Sequence, residues 1–272
     1  MTGPVQQVPP TEPSLLRRCH ENWVETLRSL ARRMPGGRIE EEPGVVYIAS
    51  GIPNPAFNPV FITRPPQDAA RTLERATEFM AHAGVHAWVL NAFPESAASV
   101  NRAAAQKGLP TPVQRPGMLL SPVPPVAPPL PPGLRIRRAT SRPLWETMVR
   151  IGYQGFGGVP PDNTEEFLPF VEGNQARGYV GLVKGHPVAT SVGFSHAGVG
   201  GVFFVATLPE FRGKGYGAAL TWRAALEARR EGCRASYLQA SEMGYPLYLK
   251  MGYRHVVDYS MWPVATQRPQ GT

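Results

Sequence analysis

The stretch VFFVATLPEFRGKGYGAALTWRAALEARREG, residues 202–232, decides the fold of the second half of the chain. It opens with an apolar run of β-branched and aromatic residues, which is typical of a buried strand. After Pro209 it enters RGKGYG, residues 212–217, and continues directly into an alanine-rich run that favours a helix. Gly232 stands where that helix would end. The stretch therefore predicts a strand, a glycine-rich loop and a helix in direct succession.

The loop RGKGYG has the composition of an anion site. Its three glycines leave backbone N–H groups unobstructed at a helix start, where unpaired amides and the positive end of the helix dipole converge. Arg212 and Lys214 add positive charge. The loop therefore predicts a site for a diphosphate or polyphosphate group, with a ligand-free glycine turn as the alternative.

Two other phosphate motifs do not fit this loop. A nucleotide P-loop needs GxxxxGK followed by Ser or Thr, whereas Gly215 is followed by Tyr216. A dinucleotide GxGxxG fingerprint needs a different glycine spacing and an acidic residue beyond the next strand.

Strand and helix patterns alternate on both sides of the loop. In the second half, the expected strands are Leu134–Ala139, Ala176–Lys184, Pro187–His196, Gly200–Thr207, Ala235–Ala240 and Val256–Trp262. The expected helices there are Arg142–Tyr153, Thr164–Glu172, Gly217–Arg230 and Met243–Lys250. In the first half, the expected helices are Ser14–Met34, Gln67–Ala83 and Ser96–Gly108, and the expected strands are Gly44–Ser50, Pro59–Thr63, His86–Asn91 and Gly117–Ser121.

A proline-rich segment separates the two halves. Seven prolines in SPVPPVAPPLPPG, residues 121–133, exclude a helix or a central strand and favour extended polyproline II. We therefore expect an N-terminal α/β domain at 1–120, a linker at 121–133, a second domain at 134–265 and a tail at 266–272.

Composition narrows the function classes. The chain has 272 residues, of which 42% are apolar, and a net charge of +8 from scattered arginines without a nucleic-acid recognition motif, so we expect no nucleic-acid partner. We also expect no membrane partner and a cytoplasmic location, because no long apolar stretch and no secretory pattern occurs. Cys19 and Cys233 lack metal or redox spacing, so no metal site is expected.

The motif R-x-x-G-x-G at Arg212, Gly215 and Gly217 resembles the pyrophosphate loop of the GNAT (N-acetyltransferase) superfamily. V-x-T-x-P (205–209) and L-Y-x-K-x-G-Y (247–253) are similar to the entry and closing motifs of that family, and the element order from 134 to 262 matches. The resemblance covers about the last half of the chain. It implies an α/β (α+β) fold with a GNAT-like mixed, largely antiparallel sheet flanked by helices, beside an additional N-terminal α/β domain. The first domain alternates strands and helices in a way that permits a degenerate GNAT-like repeat, but it lacks R-x-x-G-x-G.

The resemblance implies acetyl-CoA as the co-substrate. Backbone amides from Gly213 to Ala218 would hold its pyrophosphate, and the strand edge at 205–207 would hydrogen-bond the pantetheine arm as an added strand does. In the family, the strands that correspond to Gly200–Thr207 and Ala235–Ala240 splay apart to admit the thioester. The expected cofactor-binding residues are Val205, Ala206, Thr207, Arg212, Gly213, Lys214, Gly215, Tyr216, Gly217 and Ala218.

Tyr248 stands where many family members carry a tyrosine that protonates the departing thiolate. A phenol with a pKa of ~10 stays protonated at neutral pH and can donate to sulfur, while a core tyrosine is the alternative role. Many relatives place a glutamate on the strand that enters the loop, but FFVAT (203–207) holds no carboxylate. The general base is left open among Glu165, Glu166, Glu210, His196 and a water chain.

The acceptor pocket is expected between Tyr153–Pro161, which includes Phe156, and the facing strand Thr190–His196. Asp162 and Glu165 would attract a cationic amine, although a helix N-cap at Asp162 or Asn163 is an alternative.

The sequence thus predicts an N-acetyltransferase that moves acetyl from acetyl-CoA to a primary amine of a small molecule, by direct attack in a ternary complex. A protein or peptide amine as acceptor, and a non-catalytic CoA-binding regulatory module, are the alternatives.

Overall fold

The computed structural model describes residues 13–161 and 176–265. Contacts within it divide the chain into two units. The N-terminal unit comprises Leu27–Pro116 and the chain from Val257 onward, and the C-terminal unit comprises Gly117–Val256 and the chain up to Thr26. In this division the proline-rich segment 121–133 belongs to the C-terminal unit. The domain boundaries given above from the sequence remain a prediction.

The N-terminal unit is a mixed sheet with helices. Its strands follow the order β1-β2-β3-β4-β11, and only the pair β3–β4 is parallel. The helices are the end of α1 (Pro13–Ala31, which belongs to this unit only from Leu27), α2 (Ala69–His82) and α3 (Pro94–Gln106). The strands are β1 (Arg38–Glu42), β2 (Val45–Ala49), β3 (Pro59–Ile62), β4 (Ala87–Ala92) and β11 (Arg254–Ala265).

Helix α2 shows how the sequence pattern forms this unit. Its buried residues recur on one face, at Thr72, Leu73, Ala76, Phe79 and Met80, and most of them join the core cluster that also contains the largest side chains of the sheet. The Asp68 carboxylate accepts a hydrogen bond from the Arg71 amide at 2.9 Å and caps the start of the helix. The one-sided apolar pattern and the cap explain why the helix expected at Gln67–Ala83 forms at Ala69–His82.

The C-terminal unit confirms the predicted mixed, largely antiparallel sheet flanked by helices. Its strands follow the order β5-β10-β9-β8-β7-β6, in which only β9–β10 is parallel. The strands are β5 (Val113–Leu120, which begins in the N-terminal unit), β6 (Leu134–Arg138), β7 (Ala176–Val183), β8 (His186–His196), β9 (Val199–Thr207) and β10 (Ala235–Gln239). The helices are α4 (Arg142–Gly155), α5 (Tyr216–Arg230) and α6 (Tyr245–Lys250).

Two tight turns join β7, β8 and β9. Lys184 and Gly185 both have positive φ, 50° and 84°, as a tight hairpin turn between β7 and β8 requires. Ala197 and Gly198 repeat the arrangement between β8 and β9, with φ of 52° and 74°. These turns fix the antiparallel register of the three strands.

Helix α5 packs on the sheet through small residues. A Cβ placed on Gly200 of β9 would lie 2.3 Å from the Cβ of Ala228, so glycine is required there for the helix to approach the strand. The helix ends in a Schellman motif, in which the amides of Gly232 and Cys233 donate to Arg229 and Ala228. Gly232 has a φ of 90°, which confirms its expected role at the helix end.

Several expected elements differ from the structure or lie outside it. Strand β1 was not expected, because its sequence RIEEE is polar and largely exposed. Strand β5 begins four residues earlier than Gly117. The expected helix Thr164–Glu172 lies outside the described residues. Among the described helices, none is long and apolar enough to cross a membrane.

Candidate active site

The site lies where β9 leaves its parallel partner. The register of β9 with β10 contains three pairs, Ala235↔Val199, Ser236↔Gly200 and Tyr237↔Gly201. Beyond Gly201, β9 runs on to Thr207 and stays paired with β8. A gap therefore opens between β9 and β10 from residue 202 onward, as expected for two strands that splay apart.

A β-bulge shapes β9 beside this gap. Val192 pairs with Phe203 and Thr190 with Ala206, so Phe204 and Val205 together face the single residue Ser191. Phe204 has a φ of 52°, in the left-handed region that a bulky residue rarely adopts. Phe203 and Phe204 pack with the core beneath α4, whereas Val205 packs with the core beneath α5. The bulge thus places two successive side chains, Phe203 and Phe204, on the same face of the sheet.

Glycines in α4 let this helix lie directly against the bulged strand. A Cβ on Gly152 would lie 1.9 Å from Cε1 of Phe204, and a Cβ on Gly155 would lie 2.8 Å from the Cβ of Ala206. A larger residue at Gly152 would displace the Phe204 ring, and one at Gly155 would push on Ala206 and the backbone of Thr207.

Arg212 fixes the start of the glycine-rich loop. Its guanidinium donates to the carbonyl of Gly155 at 2.7 Å and to that of Thr207 at 3.3 Å, so it links the end of α4 to the end of β9. Gly213 and Gly215 then take left-handed conformations, with φ of 74° and 78°. The loop therefore turns where a side chain would be strained.

The loop presents its amides at the start of α5. The first backbone hydrogen bond of the helix runs from the Ala219 amide to the Gly215 carbonyl, at 3.0 Å. Among the described residues, the amides from Gly213 to Ala218 donate to no backbone carbonyl. The ammonium of Lys214 lies 3.3 Å from the Glu210 carbonyl and adds positive charge. This arrangement suits an anionic diphosphate group.

Three elements converge at Gly217. A Cβ placed there would lie 3.6 Å from Oγ1 of Thr207, 3.9 Å from Cγ1 of Val205 and 3.6 Å from Cδ2 of Leu247. The structure therefore brings the end of β9, the loop and helix α6 together. Residues of these three elements (205–207, 212–218 and Tyr248) are the ones that the sequence predicted to form one site.

Tyr248 of α6 is buried beside the same loop. Its ring packs on Gly244 and lies 5.9 Å from the ring of Tyr253, centroid to centroid. Its hydroxyl lies beside Thr221 of α5, whose own hydroxyl donates to the Gly217 carbonyl at 2.9 Å. Burial raises the pKa of Tyr248 to about 12, against a smaller lowering by the neighbouring Thr221. The phenol therefore carries its proton at neutral pH.

The structure separates the candidate bases. His196 is exposed at the end of β8, paired with Val199, so it lies at the end of β9 away from Thr207, at roughly 25 Å along the strand. His196 therefore lies far from the glycine-rich loop. Glu210 is exposed in the short turn before the loop. Glu165 and Glu166, like Asp162 and Asn163, lie outside the described residues.

Three residues of the site were not expected from the sequence: Gly152, Phe204 and Thr221. A glycine inside a helical pattern often marks close packing, so Gly152 carried a usable signal. The role of Thr221 depends on a contact between two helices and had no such signal. In the described part of the chain, no group of three or more His, Cys, Asp or Glu side chains is placed to hold a metal ion.

The second half of the chain matches a known family. Residues 145–253 fit the family model described as "Acetyltransferase (GNAT) family". The chain carries a GNAT acetyltransferase domain. Acyl transfer is therefore the activity class of this domain, and the sequence-based resemblance is confirmed. Curated proteins give no match to the chain.

Solved structures extend the likeness in fold beyond the GNAT domain. A GCN5-related N-acetyltransferase from Kribbella flavida is 18% identical, with a TM-score of 0.69 over 93% of this chain and 96% of that one. One from Sphaerobacter thermophilus is also 18% identical, with a TM-score of 0.60 over 96% and 95%. A tandem GNAT protein from the clavulanic acid biosynthesis pathway is 13% identical, with a TM-score of 0.57 over 94% and 98%. The shared fold thus includes the N-terminal unit, which is GNAT-like.

The N-terminal unit has a different geometry at the corresponding strand–loop–helix. Its parallel pair β3–β4 stays in register to the ends of both strands, at Ile62↔Ala92. The connection TRPPQD (63–68) contains two prolines, which have no N–H, and ends in the Asp68 carboxylate that caps α2. The gap and the amide-lined loop of the GNAT domain therefore have no counterpart in these elements.

Proposed function

We propose that this protein transfers an acetyl group from acetyl-CoA to the primary amine of a small molecule. The proposal rests on one observation: a loop of unpaired amides at the start of α5 lies at the end of a strand that has left its parallel partner. The loop suits the pyrophosphate of acetyl-CoA, and the free edge of β9 at 205–207 suits an extended amide arm. The residues proposed to bind acetyl-CoA are those expected from the sequence, from Val205 to Thr207 and from Arg212 to Ala218.

In the proposed reaction, the neutral amine attacks the thioester carbonyl in a ternary complex. A C–N bond forms as the C–S bond breaks, and the sulfur leaves with the electron pair. Tyr248 donates its proton to that sulfur, and the amine loses a proton to water or to a base. Because the pKa of Tyr248 is raised to about 12, the protonated donor is present across the whole neutral range.

A cytoplasmic location forms part of the same proposal. Cys19 and Cys233 are both free and buried, which suits a reducing compartment.

The test combines equilibrium binding with product analysis. Calorimetric titration with acetyl-CoA checks the cofactor site, and thiol release with a panel of small amines checks transfer, with mass spectrometry of the acetylated product. We expect binding and transfer to at least one small amine. Transfer to peptide amines only would favour a protein acetyltransferase, and binding without any transfer would favour a CoA-binding regulatory module.

A further inference from the structure

An aromatic surface borders the gap on the face opposite the anion loop. Phe204 lies in β9, three residues beyond Gly201, where pairing with β10 ends. Its side chain packs with the α4 core, whereas the neighbouring Val205 packs with the α5 core. An acceptor that approaches the gap from the α4 face therefore meets Phe204.

The position of Phe204 is strongly constrained. A phenylalanine with a φ of 52° costs free energy, so its surroundings must hold it there. Gly152 contributes by leaving space for the ring, since any side chain at that position would collide with it. Strain of this kind concentrates at functional sites, where it places a group for a purpose.

Phe156 extends this surface into solvent. Its ring lies 5.6 Å from that of Phe204, centroid to centroid, and the two planes meet at 59°. Phe156 is 59% exposed although it is a large apolar residue, and Val159 in the same loop is 87% exposed. The pair thus offers one fixed ring and one accessible ring on the acceptor side.

We propose that the acceptor amine carries an aromatic ring, which packs against Phe156 and Phe204 while the amine reaches the gap. The inference rests on the proposed function, because it names the acceptor class of the same site. Aromatic rings attract each other in tilted and edge-to-face arrangements at centroid distances of about 4.5–7 Å. Two rings that already meet at 59° present both a face and an edge to a third ring.

Three matched amines test the proposal: 2-phenylethylamine, 2-cyclohexylethylamine and ethylamine, each with acetyl-CoA. We expect kcat/KM for the phenyl compound to exceed that for ethylamine by at least about tenfold, from burial of the added carbons. We expect it to exceed that for the cyclohexyl compound by about threefold, from ring–ring contact. Equal values for all three amines, or a preference for the polar diamine putrescine, would overturn the proposal.

Variants assign the preference to the aromatic pair. Phe156→Ala should raise KM for 2-phenylethylamine about tenfold with little change in kcat, and should change KM for ethylamine much less. Phe156→Tyr should keep the preference. Val126→Ala removes another exposed apolar side chain, 75% exposed in the proline-rich segment, and should have no effect. A Phe156→Ala enzyme that keeps the wild-type preference would contradict the role of this ring.

The outcomes separate the inference from the function on which it rests. Transfer to polar amines but not to 2-phenylethylamine would overturn the acceptor class and leave the acetyltransferase intact. Absence of transfer to any amine, with or without acetyl-CoA binding, would overturn both.

Discussion

Thr221, which lies just beyond the first turn of the helix that presents the anion loop, is placed beside the hydroxyl of Tyr248. Because the Thr221 hydroxyl also donates to the Gly217 carbonyl, the proposed acid is connected to the backbone of the loop through one side chain. A shift of the loop backbone on binding would therefore be passed through Thr221 to the proposed acid Tyr248.

Tyr248→Phe should lower kcat by about 10²–10⁴-fold, because it removes the proton donor for the departing sulfur. Affinity for acetyl-CoA, measured by calorimetry, should stay within about threefold, since the phenol is not among the groups proposed to hold the pyrophosphate. Tyr253→Phe is the matched control: it also removes a buried hydroxyl, which is hydrogen-bonded to Ser236 at 2.7 Å. It should cost about 1 kcal/mol of unfolding free energy and leave kcat largely intact. Full turnover in Tyr248→Phe would show that another group protonates the sulfur.

Gly215→Leu should weaken acetyl-CoA binding at least about 100-fold, because a new Cβ would lie 3.4 Å from Cγ of Pro131 and the larger side chain would distort the amide-lined loop. The change also places a leucine at a φ of 78°, which should cost about 1–2 kcal/mol of unfolding free energy. Gly232→Leu provides the control at the other end of α5, where φ is 90° and no atom lies within 4 Å of a new Cβ. Both variants should lose similar stability in urea unfolding, and only Gly215→Leu should lose binding. Similar affinities in the two variants would count against the loop as the cofactor site.

Arg212 and Lys214 carry the same charge but hold the loop differently. Arg212→Met removes two hydrogen bonds that join α4 and β9, whereas Lys214→Met removes an exposed hydrogen bond at 3.3 Å and a cation–π contact with Phe211. We expect Arg212→Met to lose about 1 kcal/mol of unfolding free energy and Lys214→Met close to none. If the charges act only by attraction, the two variants should lose the same affinity. A larger loss in Arg212→Met, which we expect, would show that Arg212 also positions the loop.

His20 should make the protein sensitive to acid. Burial lowers the pKa of His20 to about 4 from the ordinary 6.5, so the folded protein keeps the ring neutral while the unfolded chain takes up a proton. The free energy of unfolding should therefore fall as the pH drops from 6.5 towards 4, by about 2 kcal/mol at pH 5. His20→Gln should flatten this part of the stability curve in denaturant titrations. An unchanged slope in His20→Gln would show that His20 is not the group responsible for this sensitivity.

The fold of the GNAT domain could be predicted because its strongest signals are local. Glycines at 185 and 232 occupy positive-φ positions in a hairpin and a helix end, as their places in the pattern require. Strand β1 was missed because RIEEE has almost no apolar residues: its burial alternates weakly, and its charges pair with arginines such as Arg28 and Arg75. Such a strand is defined by its partner β2 rather than by its own pattern.

The candidate site could be predicted in part for the same reason. The loop and Tyr248 lie in short motifs that can be read from the sequence. In the structure both lie against helix α5, the loop at its start and Tyr248 beside Thr221. The bulge at Phe204 depends on the register between β8 and β9, which no local pattern specifies. The proline-rich segment shows a similar limit: Val123 is 1% exposed and its amide donates to the Arg234 carbonyl, a long-range contact within the C-terminal unit.

The closed register of β3 and β4 has a consequence for stoichiometry. A chain with two GNAT-like units would bind two equivalents of acetyl-CoA if both units held the thioester. In the N-terminal unit, however, β3 and β4 stay paired to Ile62↔Ala92 and the Asp68 carboxylate caps α2, so the equivalent groove is missing from these elements. Isothermal titration should therefore saturate at a single molar equivalent per polypeptide, and Gly215→Leu should abolish the entire isotherm rather than half of it.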